Sequence, residues 1–305
     1  MQQFTSLPEV IKHFAEQRTC LEYLEKQLWD GKPICPHCGS LKVYRIKESH
    51  IFKCGNKKTC DKKFNVCTGT IYENTKLPLS TWFAAIWLLT AHKKGISSLQ
   101  LARDLNITQK SAWFINHRIR VMMGEPAPEP LEYMVEVDET YVGGKVTNMH
   151  SNKRKAIRES GRDNKTAVMG MVQRQGKAKL KVIGEKTFKE MVRQHVDETA
   201  VVTTDSHLGY VGLSQEYAGH EAVNHSQGEY KRDIFHTNTV EGFFSIFKRG
   251  IYGIYHQVSV KHLHRYCEEF SHRYNSRDLK DPQRFTFTIT QSKGRLKYKD
   301  LIKKV

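Results

Sequence analysis

The sequence predicts an α/β protein built in three parts: a small cysteine-bearing region, a helical region, and a layered domain with a mixed sheet and flanking helices. Three observations predict it. Six of the seven cysteines lie in residues 1–75. The run G-E-P-A-P-E-P, Gly124–Pro130, interrupts any helix, because proline removes a backbone donor and disfavours the α region before it. Beyond it, residues 131–305 alternate strand and helix signals. A chain of 305 residues has room for such parts, one of them large enough for a substantial core.

The first part, residues 16–75, carries C-P-H-C (Cys35, Cys38) and C-G-N-K-K-T-C (Cys54, Cys60). Two cysteine pairs separated by a hairpin-length gap predict a structural Zn²⁺ held by four thiolates in a ribbon. The second pair is spaced C-x5-C, wider than the usual C-x2-C, so Cys67 and His37 stand as substitute ligands. Cys20 and Cys267 are isolated and read as packing residues. Seven cysteines and no basic segment followed by an apolar one in M-Q-Q-F-T-S-L-P-E-V predict a reducing, cytoplasmic setting. The longest apolar stretch, Trp82 to Leu89, is too short to cross a bilayer, so no membrane partner is expected.

Residues 76–123 predict helices. Ser80 is the expected N-cap of a largely buried one. Ser97 or Ser98 opens a short helix to Leu105, Asn106 turns the chain in a left-handed conformation, and Thr108 caps a longer helix with Ala112, Ile115 and Ile119 on one face. This is helix-turn-helix spacing, with a plain helical hairpin as its alternative. In a DNA-binding helix-turn-helix, Gln109, Lys110, Trp113, Asn116 and Arg120 face the duplex or line its edge.

After the linker, 124–130, strands are expected at Glu132–Gly143, Thr166–Gln173, Lys179–Ile183, Ala200–Asp205 and Glu221–His225. Helices are expected at Thr187–Val196, Asn238–Ile251 and Val260–Tyr274. The domain is drawn at 131–280, with 281–305 left as a basic tail, either a solvated end or a DNA-contacting arm. Formal charge is +17, which favours a polyanionic partner, most often nucleic acid.

Three acids stand out. Asp138 lies in M-V-E-V-D-E-T-Y-V-G-G, an apolar strand pattern that ends in two glycines, Asp205 closes A-V-V-T-T-D, and Glu241 lies in H-T-N-T-V-E-G-F-F-S-I-F-K, with Lys248 two helical turns later on the same face. Alternation puts Asp138 on the face of Glu136 and not of Glu139. Each acid alone also reads as a cap, and Asn238-x-x-Glu241 is itself a capping-box pattern. Together, two strand acids and a helix acid have the oxygen ligands to hold hard divalent cations for in-line phosphoryl displacement.

Several segments carry a resemblance. They are V-D-E-T-Y-V-G-G-K, N-K-T-A-V-M-G-M-V-Q-R, T-T-D-S-H-L-G-Y, V-N-H-S-Q-G-E-Y, H-T-N-T-V-E-G-F-F-S-I-F-K-R-G-I-Y-G-I-Y-H and S-V-K-H-L-H-R-Y-C-E-E-F-S-H-R-Y-N-S-R. They resemble the IS1595-type (ISXO2-like) DDE transposases of bacterial insertion sequences. C-P-H-C-G-S and G-T-I-Y-E-N-T-K-L-P-L resemble the zinc ribbon that precedes that domain in the family. The resemblance implies an RNase H-like core, catalytic Mg²⁺ or Mn²⁺, and double-stranded DNA partners: the element's terminal inverted repeats and a target.

It also implies Asp138 and Asp205 as the first two catalytic acids, with Glu241 favoured over Asn238 as the third residue and Lys248 beside the phosphate. Phe244 stands where the family more often has Trp. A homo-oligomer on the nucleoid of a prokaryote is the expected active state. Lys145, Arg154 and Lys155 are expected on backbone phosphate, and His225 and His236 near water or substrate. A DNA-binding regulator with an inactive core and an RNase H-like structure-specific nuclease are the other two classes. Only the first would dispense with the acids, and neither transfers strands.

Overall fold

The structure is a computed structural model that describes residues 4–47, 49–125, 129–144, 146–160, 164–224, 227–229 and 231–303. Lys145 and His225 lie outside them. The chain divides into two units, Met1–Gly124 with Ser276–Val305, and Glu125–Asn275.

The first unit starts with α1 (Leu7–His13) and α2 (Gln17–Trp29). A three-stranded antiparallel ribbon follows, β1 (Val43–Arg45), β2 (Phe52–Cys54) and β3 (Lys63–Phe64). Helix α3 (Leu79–Ala91) is apolar around most of its circumference, the pattern of a helix enclosed by its neighbours, and its residues from Trp82 to Thr90 are all buried. It begins one residue before the expected Ser80 cap, with Pro78 at the N-cap and the Leu79 N–H donating to the Gln17 side chain at 3.0 Å.

Helices α4 (Ser98–Asp104) and α5 (Gln109–Met122) are capped by Ser97 and Thr108 as expected. The Ser97 and Thr108 hydroxyls accept from the Gln100 and Ser111 N–H groups. Asn106 turns the chain between them at φ +50°.

The second unit is a five-stranded mixed sheet: β4 (Met134–Val142), β5 (Thr166–Gln173), β6 (Ala178–Val182), β7 (Val201–Asp205) and β8 (Gly219–Val223). Their spatial order is β6-β5-β4-β7-β8. β4, β5 and β6 pair antiparallel, while β7 and β8 run parallel to β4. This is the mixed α/β sheet expected of an RNase H-like core.

Helix α6 (Ser151–Ser160) lies between β4 and β5, and α7 (Phe188–His195) between β6 and β7. Helices α8 (Asn238–Gly250) and α9 (Val260–Asn275) close the unit. Alternation along the strands gives the sheet two apolar faces. Val135, Val137, Met169 and Met171 bury against Met191 and Val192 of α7. Val168, Val172 and Leu180 bury against Val240, Phe244 and Phe247 of α8 and Leu263 and Phe270 of α9.

One glycine sets how closely α8 lies on the sheet. Gly170 pairs with Asp138, and a Cβ there would stand 2.6 Å from the Phe244 ring and 2.8 Å from Val240. Any larger residue would lift α8 away from the strand that carries Asp138.

The C-terminal segment is not a tail, which corrects the expectation for residues 281–305. It returns to the first unit as α10 (Asp281–Thr290) and α11 (Tyr298–Ile302). Phe285 and Ile289 are fully buried in the core with Phe14, Phe83 and Trp87. The basic residues that suggest a tail begin at Lys293, after this apolar pair, and two apolar positions alone do not mark a helix face. Cys20 and Cys267 are buried. Among the described residues no helix is long and apolar enough to cross a membrane.

Candidate metal centres and nucleic-acid surfaces

In the ribbon, Cys35, Cys38, Cys54 and Cys60 bring their sulfurs within 4.8 Å of one another. Cys35 and Cys60 stand 3.7 Å apart, Cys38 and Cys54 3.6 Å. Zn–S bonds of ~2.3 Å in a tetrahedron place sulfurs about 3.8 Å apart, so this is zinc geometry and far from a disulfide. The wide C-x5-C is closed by a turn. The Cys60 and Asp61 N–H groups donate to the Asn56 carbonyl at 3.0 and 3.1 Å, and Asp61 adopts φ +48°. The Asn56 N–H donates to the Cys54 sulfur at 3.4 Å. Cys67 and His37 are outside the group, so neither substitutes.

In the second unit, β4 and β7 are adjacent and parallel, with Glu136 paired to Thr203. Two residues further along each strand stand Asp138, midway along β4 and just past its last pairing with β7, and Asp205, the last residue of β7. Carboxyl ends of strands are where α/β sheets place ligands. The Asp138, Asp205 and Glu139 oxygens all lie within 4.8 Å of one another, and all three side chains are half-buried.

Glu139 leaves β4 on the other face, as alternation requires, yet its carboxylate reaches the group where the pairing of β4 with β7 has stopped, past Glu136. The Tyr210 hydroxyl donates to Glu139 at 2.9 Å, and the Asp138 carboxylate accepts from the Glu139 N–H at 2.8 Å. Asp205 accepts from the His207 N–H at 3.1 Å. In the sequence, the only signal for Glu139 is its adjacency to Asp138.

Burial, then the charges of Glu139, Asp205 and Glu241, push Asp138 up to about 7. Burial and Asp205 also raise Glu139, against the pull of the Tyr210 hydroxyl. Carboxylates that resist ionising together suit a divalent cation, which neutralises them with oxygen ligands.

The sign of the pH dependence follows. A folded pKa above the unfolded one means the folded state holds the extra proton between about 4 and about 7. Without added divalent metal, stability is therefore expected to fall as pH rises through that window, and Asp138→Asn to flatten the fall. Thermal melts from pH 5 to 8 measure it. A slope unchanged in the variant would remove Asp138 as its source.

Glu241 is exposed on the first turn of α8 and lies outside that close group of three, although its charge contributes to Asp138. The Thr237 hydroxyl donates to Glu241 at 3.1 Å. The capping box that is the alternative role for Asn238 and Glu241 is not formed. Thr237 holds the N-cap without a side-chain cap, and Asn238 is the exposed first helical residue. Lys248 is exposed in the last turn of α8. His236 Nδ1 is 3.3 Å from the Glu136 carboxylate, not in the acid group.

On α5, Gln109 and Lys110 are exposed, with the Lys110 ammonium 4.9 Å over the Tyr298 ring of α11. Trp113 is half-buried and packs on His117. Asn116 and Arg120 are buried at 1% and 2% exposure, which corrects their assignment to a DNA face. Asn116 donates to the Ile96 carbonyl at 3.4 Å. The reading assumed one covered face on this helix. A second is covered by the C-terminal segment, where Arg118 donates to the Leu296 carbonyl and Phe114 meets Tyr298. Arg154 and Lys155 are exposed on α6.

A cysteine ribbon followed by a mixed sheet with acids clustered on two adjacent parallel strands is the class of protein that the transposases of insertion sequences represent. Residues 130–275 match the family model of the ISXO2-like transposase domain, and residues 15–63 that of the transposase zinc-ribbon domain. On these two matches the chain belongs to the IS1595-type, ISXO2-like transposase family. It is also similar, at 28% identity over 277 residues, to an uncharacterized protein in transposable element ISH50 of Halobacterium salinarum, over 86% of this chain and 92% of that one. No solved structure matches it.

Proposed function

We propose that this chain is an active transposase that binds the terminal inverted repeats of its own element and catalyses metal-dependent DNA cleavage and strand transfer. One observation carries the reading: the convergence of Asp138, Glu139 and Asp205 where the carboxyl end of β7 meets its parallel neighbour β4. These three would hold Mg²⁺ or Mn²⁺, with Glu241 supplying a further oxygen from α8. Such a bound cation stabilises the charge that develops on phosphate oxygens during in-line displacement. Lys248 would bind a phosphate beside the acids. Cys35, Cys38, Cys54 and Cys60 would hold structural zinc. Gln109, Lys110, Arg154 and Lys155 would contact DNA, the cations on backbone phosphate, which fixes position and not sequence.

The test uses a duplex ending in the element's inverted repeat. Cleavage at the repeat boundary with Mg²⁺ or Mn²⁺, followed by joining of the freed 3′ end to a second duplex, is the expected result. Log affinity is expected to fall with log salt by about 0.9 per phosphate contacted. Binding without metal-dependent cleavage would favour a regulator, and cleavage directed by DNA structure without joining would favour a repair-type nuclease.

A further inference from the structure

Helix α8 has no capping side chain of its own. The first N–H groups of a helix need acceptors, and when they are buried the need is acute. Here they are met from across the fold. Glu136, fully buried on β4, accepts the Thr239 N–H at 2.8 Å, the Val240 N–H at 3.1 Å and the Thr239 hydroxyl at 2.8 Å. Its charge is paired with Arg174, whose Nε lies 2.7 Å away. Arg174 follows β5 directly and also donates to the carbonyls of Ile234 and His236, at 2.5 and 3.2 Å, in the segment that leads into α8. One buried ion pair therefore ties the entry to α8, its first turn and the central strand into a single network.

The placement gives this network a consequence. Glu136 is two residues before Asp138 on the same face of β4, and Thr239 and Val240 immediately precede Glu241 on α8. Gly170, the strand partner of Asp138, admits Phe244 and Val240 of the same helix at close range. We infer that Glu136 is a positioning residue, which with Arg174 fixes the first turn of α8, and so Glu241, relative to Asp138. Its carboxylate is consumed by the helix and does not join the acid group. The inference rests on the metal-dependent cleavage proposed above.

The test compares Glu136→Gln, Arg174→Gln and the milder Thr239→Val with the unaltered chain, in full-length zinc-loaded protein. Hydrogen exchange at the amides of residues 239–241 is expected to quicken in each. Cleavage at limiting Mn²⁺ is expected to fall about 10- to 100-fold in Glu136→Gln, the range for residues that orient a metal ligand, and to recover in part as Mn²⁺ is raised. Asp138→Asn, which removes a ligand, is expected to stay inactive at every Mn²⁺ concentration.

Glu136→Gln with wild-type cleavage at limiting Mn²⁺, or with unchanged exchange in α8, would overturn the inference. Should Glu136→Gln fail to fold, Thr239→Val decides: it removes one hydroxyl bond and leaves the ion pair, and both its exchange and its Mn²⁺ requirement must rise. An unaltered chain that does not cleave at all would instead sink the transposase reading, and the exchange data would still report whether Glu136 holds α8.

Discussion

Asp138→Asn and Asp205→Asn are each expected to lower metal-dependent cleavage by about 1000-fold or more, while leaving affinity for the inverted-repeat duplex nearly unchanged. Each removes several kcal/mol of metal-borne stabilisation of transition-state charge, and each ~1.4 kcal/mol is tenfold in rate. Neither removes a cation that would contact phosphate. Gel-shift and cleavage assays on the same samples separate the two properties. Loss of binding together with cleavage would mean that the acids hold the fold and not the metal.

The comparison among the remaining polar residues is sharper. Glu139 stands within the close group, Glu241 outside it, and Asn238 is exposed at the helix start. Glu139→Gln is expected to impair cleavage, and Glu241→Gln to abolish it if α8 supplies the last oxygen when metal binds. Asn238→Ala is expected to have little effect, because the residue caps nothing here. An inactive Asn238→Ala beside an active Glu241→Gln would transfer the role to the asparagine.

The parts of this site that were legible in sequence are those set by local pattern. Asp205 ends an apolar run before turn residues, which marks a strand end, and Asp138 interrupts a strand pattern where a buried carboxylate needs a partner or a metal. Ser97, Thr108 and Asn106 were legible because caps and left-handed turns are chosen over a few residues. What was not legible depends on pairing at a distance. Glu139 joins the acids only because β7 lies against β4 in a register that places Asp205 level with Asp138, midway along β4. Glu136 is capped onto α8 across 103 residues and paired to Arg174 across 38, so its local context gave only alternation. The local capping box at Asn238 and Glu241 is plausible by spacing, but the helix starts one residue earlier, with Thr237 at the N-cap and its carbonyl accepting the Glu241 N–H at 3.0 Å. Asn116 and Arg120 read as exposed because helical periodicity alone does not show the segment before α4, whose Ile96 carbonyl lies against Asn116 across 20 residues.

The ribbon provides the other large effect. Its own apolar cluster consists of Cys35, Phe52, Cys54 and Phe64, with Trp29 and Val43 packed at its side. Phe52 and Phe64 stack at 5.9 Å, and Trp29 meets Phe52 edge-on at 5.1 Å. Strands of two and three residues over so few side chains cannot offset the conformational entropy of the loops they join. Two of the four buried members are themselves in the thiolate group, so metal and core are one structure. Zinc at such a site contributes on the order of 10 kcal/mol of folding free energy. Cys35→Ser and Cys60→Ser are each expected to release about one zinc per chain and to unfold residues 30–70 locally, seen as proteolytic nicking and fast hydrogen exchange there. The sheet unit, Glu125–Asn275, with two apolar faces of its own, is expected to keep its protection. Cys67→Ser is the control, since that sulfur lies outside the group. Freshly purified protein without zinc, or a Cys67→Ser variant that loses it, would show that the four sulfurs are gathered by packing and not by a metal.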